Sequence, residues 1–130
     1  MDNKAWAQEV AKKIKEKELA VAKRNVGKVP YTAENGVFND CSGKEIGWWT
    51  NGFWGGMMWQ LYQATKEPVY KESAEELEKK LDAALMNYHV MDHDSGFRWL
   101  PTAVANYRQF GSDESKNRGM LAASNLAGRY

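Results

Sequence analysis

The chain carries a single cysteine, only three prolines and no excess of either charge: 18 lysines and arginines stand against 17 aspartates and glutamates. A lone Cys41 cannot close an internal disulfide and has no second cysteine with which to build a zinc ribbon, so it reads as a small side chain in a loop or the core. Balanced charge gives no evident basic face, which argues against nucleic acid as a partner. No apolar run is long enough to cross a bilayer, so no membrane partner is expected either. His89 and His93 lack the helical HExxH arrangement, and neither a metal nor another cofactor is expected. The opening MDNKAWAQEVAKKIKEK lacks the basic, apolar and small-residue order of a secretory leader, which points to a cytoplasmic location.

What the sequence does have is helical periodicity and an unusual density of tryptophan. At 130 residues it suits one domain with one core. Residues 4–23 predict an amphipathic helix with Trp6, Val10, Ile14 and Val21 near one side. Gly27, Pro30, Asn35 and Gly36 then break the pattern, and the long connection to about residue 48 is of the kind that closes a site. A second helix is expected over 53–65, capped by Thr50 or Asn51, with Gly52, Gly55 and Gly56 weakening its first turn. A third runs from Pro68 to about Tyr88 with Tyr70, Ala74, Leu77, Leu81, Leu85 and Tyr88 as its stripe, while Glu75, Glu76, Glu78, Lys79 and Lys80 mostly face water. Pro101 opens a fourth, to Phe110, and Gly111 ends it. Ser112 caps a fifth over 113–127, which Gly128 terminates. No strand pattern is visible. The fold class is therefore all-α, about five helices. The apolar second helix and the last helix's Met120, Leu121 and Leu126 leave room for a further neighbour, and unpartnered faces of this kind favour self-association.

Two stretches carry candidate chemistry. In MDHDSGF, Asp92 and Asp94 flank His93 within one turn; mutual repulsion would raise the pKa of one and suit it to general acid/base work, whereas hydrogen bonds to nearby backbone would make both merely structural. In WWTNGFWGGMMW, Trp48, Trp49, Phe53 and Trp54 alternate with polar Thr50 and Asn51. Such a surface can stack on the apolar face of a sugar and bond its polar rim, or it can be a packed cluster. The three glycines lack the setting of a dinucleotide fingerprint, and GSDESKNRG is no phosphate loop.

Taken in order, FND, WWTNGFWGGMMW, PVY and MDHDSGF resemble the N-terminal part of glycoside hydrolase family 88, the unsaturated glucuronyl hydrolases, from about residue 6 to the end. The resemblance implies an (α/α)6 toroid of antiparallel helical hairpins, of which residues 1–130 would be an N-terminal fragment of the catalytic domain. It implies that Trp49 packs against the sugar, that His93 binds substrate and that Asp94 is one of two essential aspartates. Asn51 stands where relatives can have aspartate, and Trp54 and Trp99 are further substrate-binding candidates. The expected ligand is an unsaturated uronyl disaccharide or short oligosaccharide.

The implied chemistry begins at a vinyl ether: a carboxylic acid protonates C4, water is delivered to C5, and the hemiketal rearranges with loss of the neighbouring sugar. The other essential aspartate of that family lies in a later hairpin with no counterpart in this sequence. The expectation is a chain inactive by itself. The competing reading is a non-catalytic carbohydrate-binding or helical interaction domain.

Overall fold

The computed structural model describes residues 2–129. Among them are five helices: α1 (Asn3–Arg24), α2 (Asn51–Thr65), α3 (Pro68–Leu85), a composite of α4 (Ser95–Trp99), a π-helical segment (Leu100–Val104) and α5 (Ala105–Phe110), and lastly α6 (Asp113–Arg129). Lys66, in the left-handed conformation, turns α2 into α3. Pro68 opens α3, where its missing N–H costs nothing. Gly111, also left-handed, ends α5, and the Ser112 hydroxyl accepts the Ser115 amide at 3.3 Å at the start of α6. The short turns make antiparallel hairpins of α2 with α3 and α5 with α6.

The core lies where these hairpins meet. Met58 and Trp59 of α2, Tyr70, Leu77 and Leu81 of α3, and Trp99 and Ala103 of the composite helix are buried together. The glycines of α2, expected only to weaken it, are what allow this packing. A Cβ on Gly52 would stand 2.1 Å from the Phe97 carbonyl oxygen, one on Gly55 2.7 Å from Thr102 Cγ2, and one on Gly56 2.7 Å from Pro101 Cβ. The helices approach along a glycine groove.

Several expected boundaries move. The composite helix begins at Ser95, not Pro101, because the 92–95 turn already supplies its first bonds; Pro101 lies inside it, where its lost N–H is absorbed by the π-helical segment. There the Thr102 hydroxyl donates to the Arg98 carbonyl at 2.5 Å. Helix α3 stops at Leu85, leaving Tyr88 exposed, and α6 continues past Gly128 to Arg129. A two-residue antiparallel ladder, β1 (Ala33–Glu34) with β2 (Val37–Phe38), forms where no strand was expected, around Asn35 and Gly36 at positive φ. Too short to show alternation, it left no pattern to read. Thr50 occupies the N-cap of α2 without a side-chain bond, and Asn51 is helical.

Glu78 departs furthest from expectation. Rather than facing water it is buried between four helices. Its Oε1 accepts Trp59 Nε1 at 3.1 Å and Asn106 Nδ2 at 3.0 Å, and its Oε2 accepts Ser115 Oγ at 2.6 Å. Arg118 lies 3.9 Å from Oε2 and makes paired bonds to Asp82 at 2.7 and 2.8 Å. Trp6 and Ile14 of α1 and Met120 and Leu121 of α6 are exposed. Among the described residues no helix is long and apolar enough to cross a membrane.

Candidate active site

The long connection after α1 is stitched by the asparagine and aspartate of FND. Asn39 Oδ1 accepts the Tyr31 and Thr32 amides at 3.0 and 2.8 Å, and Asp40 Oδ1 accepts those of Val29 and Ser42 at 2.9 Å each. Burial alone would raise the Asp40 carboxyl, but these bonds outweigh it and hold the pKa below the ordinary value. A segment fixed in this way can present side chains. Tyr31 lies edge-on to Trp48 with centroids 6.0 Å apart, and Trp48 lies 6.3 Å from Trp49.

Trp49 then meets two phenylalanines from different helices, Phe53 of α2 at 5.9 Å and Phe97 of α4 at 5.5 Å; the two are 5.8 Å from each other. All three rings are exposed. Phe53 and Phe97 line a concavity of about 430 Å³ together with His93, Gly96, Leu100 and Pro101. Thus the fold brings His93 into one surface with the aromatic stretch through Phe53, which belongs to that stretch, and through Phe97, which is not among the expected site residues. The signal that could have found Phe97 was its place inside MDHDSGF itself.

The two aspartates differ. Asp92 Oδ1 accepts the Asp94 amide at 3.0 Å and the Arg98 guanidinium at 2.8 Å. Burial would raise its pKa, but the Arg98 bond and charge, with the Asp94 amide, bring it below the ordinary range. Of the two readings open for this turn, a carboxyl raised by repulsion or one tied up in structural bonds, Asp92 follows the second. Asp94 has no side-chain hydrogen bond to the protein among the described residues, and His93 Nε2 lies 3.7 Å from its Oδ1. It is the carboxylate of this turn left open to a ligand.

Three expected site residues lie elsewhere. Asn51 is buried, its amide bonding the Glu45 and Ile46 carbonyls at 2.9 and 3.0 Å, so it fastens the loop before α2 and offers nothing at the surface. Trp54 and Trp99 are buried in the core. Trp54 follows the exposed Phe53 by one position round α2, onto the core side, and Trp99 follows Phe97 by two positions, to the opposite side of the composite helix.

No family model matches the chain. It is 32% identical over 83 residues to the unsaturated chondroitin disaccharide hydrolase of Streptococcus pneumoniae, a match covering 63% of this chain and 21% of that protein. The unsaturated glucuronyl hydrolase of Bacillus sp. strain GL1 is 29% identical over the same length, covering 63% of this chain and 22% of its own. In three dimensions the chain superposes on the crystal structure of unsaturated glucuronyl hydrolase from Streptococcus agalactiae with a TM-score of 0.76 and 26% identity, over 92% of this chain and 31% of that one.

The chain is homologous to the unsaturated glucuronyl hydrolases of glycoside hydrolase family 88. Its helical hairpins are accordingly part of an α/α toroid. It spans less than a third of the length of the hydrolases it matches.

Proposed function

We propose that these residues form one wall of the substrate site of an unsaturated uronyl hydrolase, within the N-terminal part of its catalytic domain. The observation that carries the reading is the meeting of an exposed aromatic face, Trp49 with Phe53 and Phe97, with the turn that bears His93 and an unbonded Asp94. The ring of a 4,5-unsaturated uronate is flat and apolar on its faces and anionic at its carboxylate. Trp49 offers the stacking surface, and the exposed His93, when protonated, offers a cation for the carboxylate. Asp94 bonds a sugar hydroxyl or the incoming water and stabilises positive charge developing on the ring during protonation at C4. The ligand is a lyase-generated disaccharide or short oligosaccharide; relatives named for hydrolysis of unsaturated chondroitin disaccharide and of unsaturated glucuronyl sugars support this class.

Protonation of C4 and delivery of water to C5 need two groups in different roles. Asp92 is committed to Arg98, which leaves Asp94 as the one carboxylate of the turn available. Turnover by these 130 residues alone is therefore expected to be absent. The same observation favours a second reading, a carbohydrate-binding surface without chemistry, since one carboxylate and an aromatic face suffice for recognition.

Titration of the chain with an unsaturated chondroitin disaccharide and with its saturated counterpart, followed by tryptophan fluorescence, separates the two. The hydrolase reading expects tighter binding of the unsaturated sugar and a loss of about tenfold in affinity in Asp94→Asn. Equal affinity for both sugars would favour the binding module. No binding of either would overturn both readings. Loss of the double bond's absorbance under the wild-type chain would overturn the expectation of inactivity.

A further inference from the structure

Trp49 and Asp94 come from segments far apart in sequence, one just before α2 and the other just before α4, and neither segment is held by a helical or strand ladder. Local turns and the Asn51 amide bond many of their carbonyls, but within either segment alone. Arg98, on α4, bonds one carbonyl of each. Its Nη1 donates to the Gly47 carbonyl at 2.6 Å, two residues before Trp49. Its Nη2 donates to the Val90 carbonyl, to Asp92 Oδ1 at 2.8 Å and to Ser95 Oγ at 3.3 Å. The side chain is 1% exposed and its Nε has no partner, so the hydrogen bonds this buried guanidinium makes are all to carbonyls and side chains of the two segments. The segments also touch directly, for a Cβ on Gly47 would stand 2.3 Å from Val90 Cγ1.

We infer that Arg98 is the positioning residue that locks the Trp49 loop to the Asp94 turn, so that the stacking face and the carboxylate address one sugar ring. The inference rests on the substrate-site reading above. A planar guanidinium with several donors in fixed directions can satisfy carbonyls of two segments at once, whereas a lysine ammonium, with all its donors on one nitrogen, reaches one or the other. Asp92 neutralises the buried charge and in the same step takes the Asp94 amide, which passes the fixed position of Arg98 directly to Asp94. The competing account is that α2 and α4, pressed together at Gly52, set the register without help from Arg98.

Amide hydrogen exchange on the chain, read alongside disaccharide affinity, distinguishes the two. In Arg98→Lys the amides of residues 46–49 and of 91–95 are expected to exchange together about tenfold faster or more, with those of Leu77–Leu81 unchanged. Affinity for the unsaturated chondroitin disaccharide falls by about tenfold in parallel. Asp92→Asn, which keeps the guanidinium, is expected to loosen Asp94 and Ser95 while Gly47 and Trp49 stay within about twofold of wild type. If Arg98→Lys does not fold, this second variant decides: a loosened turn with weakened sugar binding supports the role, and an unchanged turn overturns it. Loosening of a single segment, of neither, or of all helices equally in Arg98→Lys also overturns it. Failure of the wild-type chain to bind the sugar would instead overturn the substrate-site reading and the substrate role of Arg98 with it, while exchange still decides whether Arg98 joins the two segments.

Discussion

Two buried charges organise this molecule, and they hold different kinds of structure. Glu78 collects side chains from α2, α5 and α6, whose positions their own helices already fix. Arg98 collects one backbone carbonyl from each of two loops, with Asp92 of the turn and Ser95 at the start of its own helix. An acceptor among helices strengthens a scaffold, while a donor among loops shapes a surface. The difference teaches that a buried charged hub among helices and one among loops fix different things, the packing of a scaffold in one case and the path of two connecting segments in the other.

The most direct way to break the comparison is to remove the scaffold hub. Glu78→Ala leaves Trp59 Nε1, Asn106 and Ser115 without their acceptor and Arg118 without one of its carboxylates. A loss of about 3 kcal/mol in urea unfolding is expected, since buried donors stripped of a charged partner keep their desolvation cost. Exchange in residues 46–49 should rise no more than the global loss requires. If the site segments opened far ahead of the helices, the two hubs would not be separate.

A smaller effect is expected at the boundary between the hubs. Gly52→Ala places a methyl 2.1 Å from a backbone oxygen that cannot swing aside as a flexible side chain could. Helices α2 and α4 must then move apart, at a cost of about 2 kcal/mol. Because Trp49 precedes one helix and Asp94 the other, sugar affinity should fall with it. Crystal structures or solution contacts showing Phe53 and Phe97 still 5.8 Å apart in the variant would contradict this.

How much of this was legible in advance follows the same division. Helix positions were readable because their apolar spacing reports one local variable, the face of a helix, and α1, α2, α3 and α6 lie within a few residues of expectation. The composite helix was misplaced because Pro101 looks like a start, and only tertiary packing against Gly56 explains why it sits inside. Trp49, His93 and Asp94 were named from motif resemblance, and the structure puts His93 and Trp49 around one aromatic surface. Trp54 and Trp99 rest on residue type and Asn51 on its place in the motif, and neither says which way a side chain points. The hubs themselves were invisible. Glu78 looked like one more charge in a charged helix, and nothing local marks an arginine whose partners lie 8 and 51 residues away.

The finest distinction between the hubs lies in the sign of their response to pH. Burial raises the Glu78 pKa despite the bonds from Ser115, Asn106 and Trp59 and the nearby Arg118 charge, so the folded state holds that proton more tightly than the unfolded chain does. The contribution of Glu78 to stability should therefore shrink as pH rises from about 4.3 through the raised folded value, and then level off. Asp92 runs the other way. Its folded carboxyl gives up the proton more readily, so its contribution is full above about 3.9 and is lost as pH falls through the lowered value. Because the Asp92 side chain is 36% exposed, solvent screening holds its effect to a few tenths of a kcal/mol. Urea midpoints of wild type, Glu78→Gln and Asp92→Asn across this range resolve both. The stability difference between wild type and Glu78→Gln should decline with rising pH, and that for Asp92→Asn should grow. Two curves of the same slope would mean that the anionic scaffold hub and the cationic site hub share one electrostatic environment, and that the separation between them is one of position only.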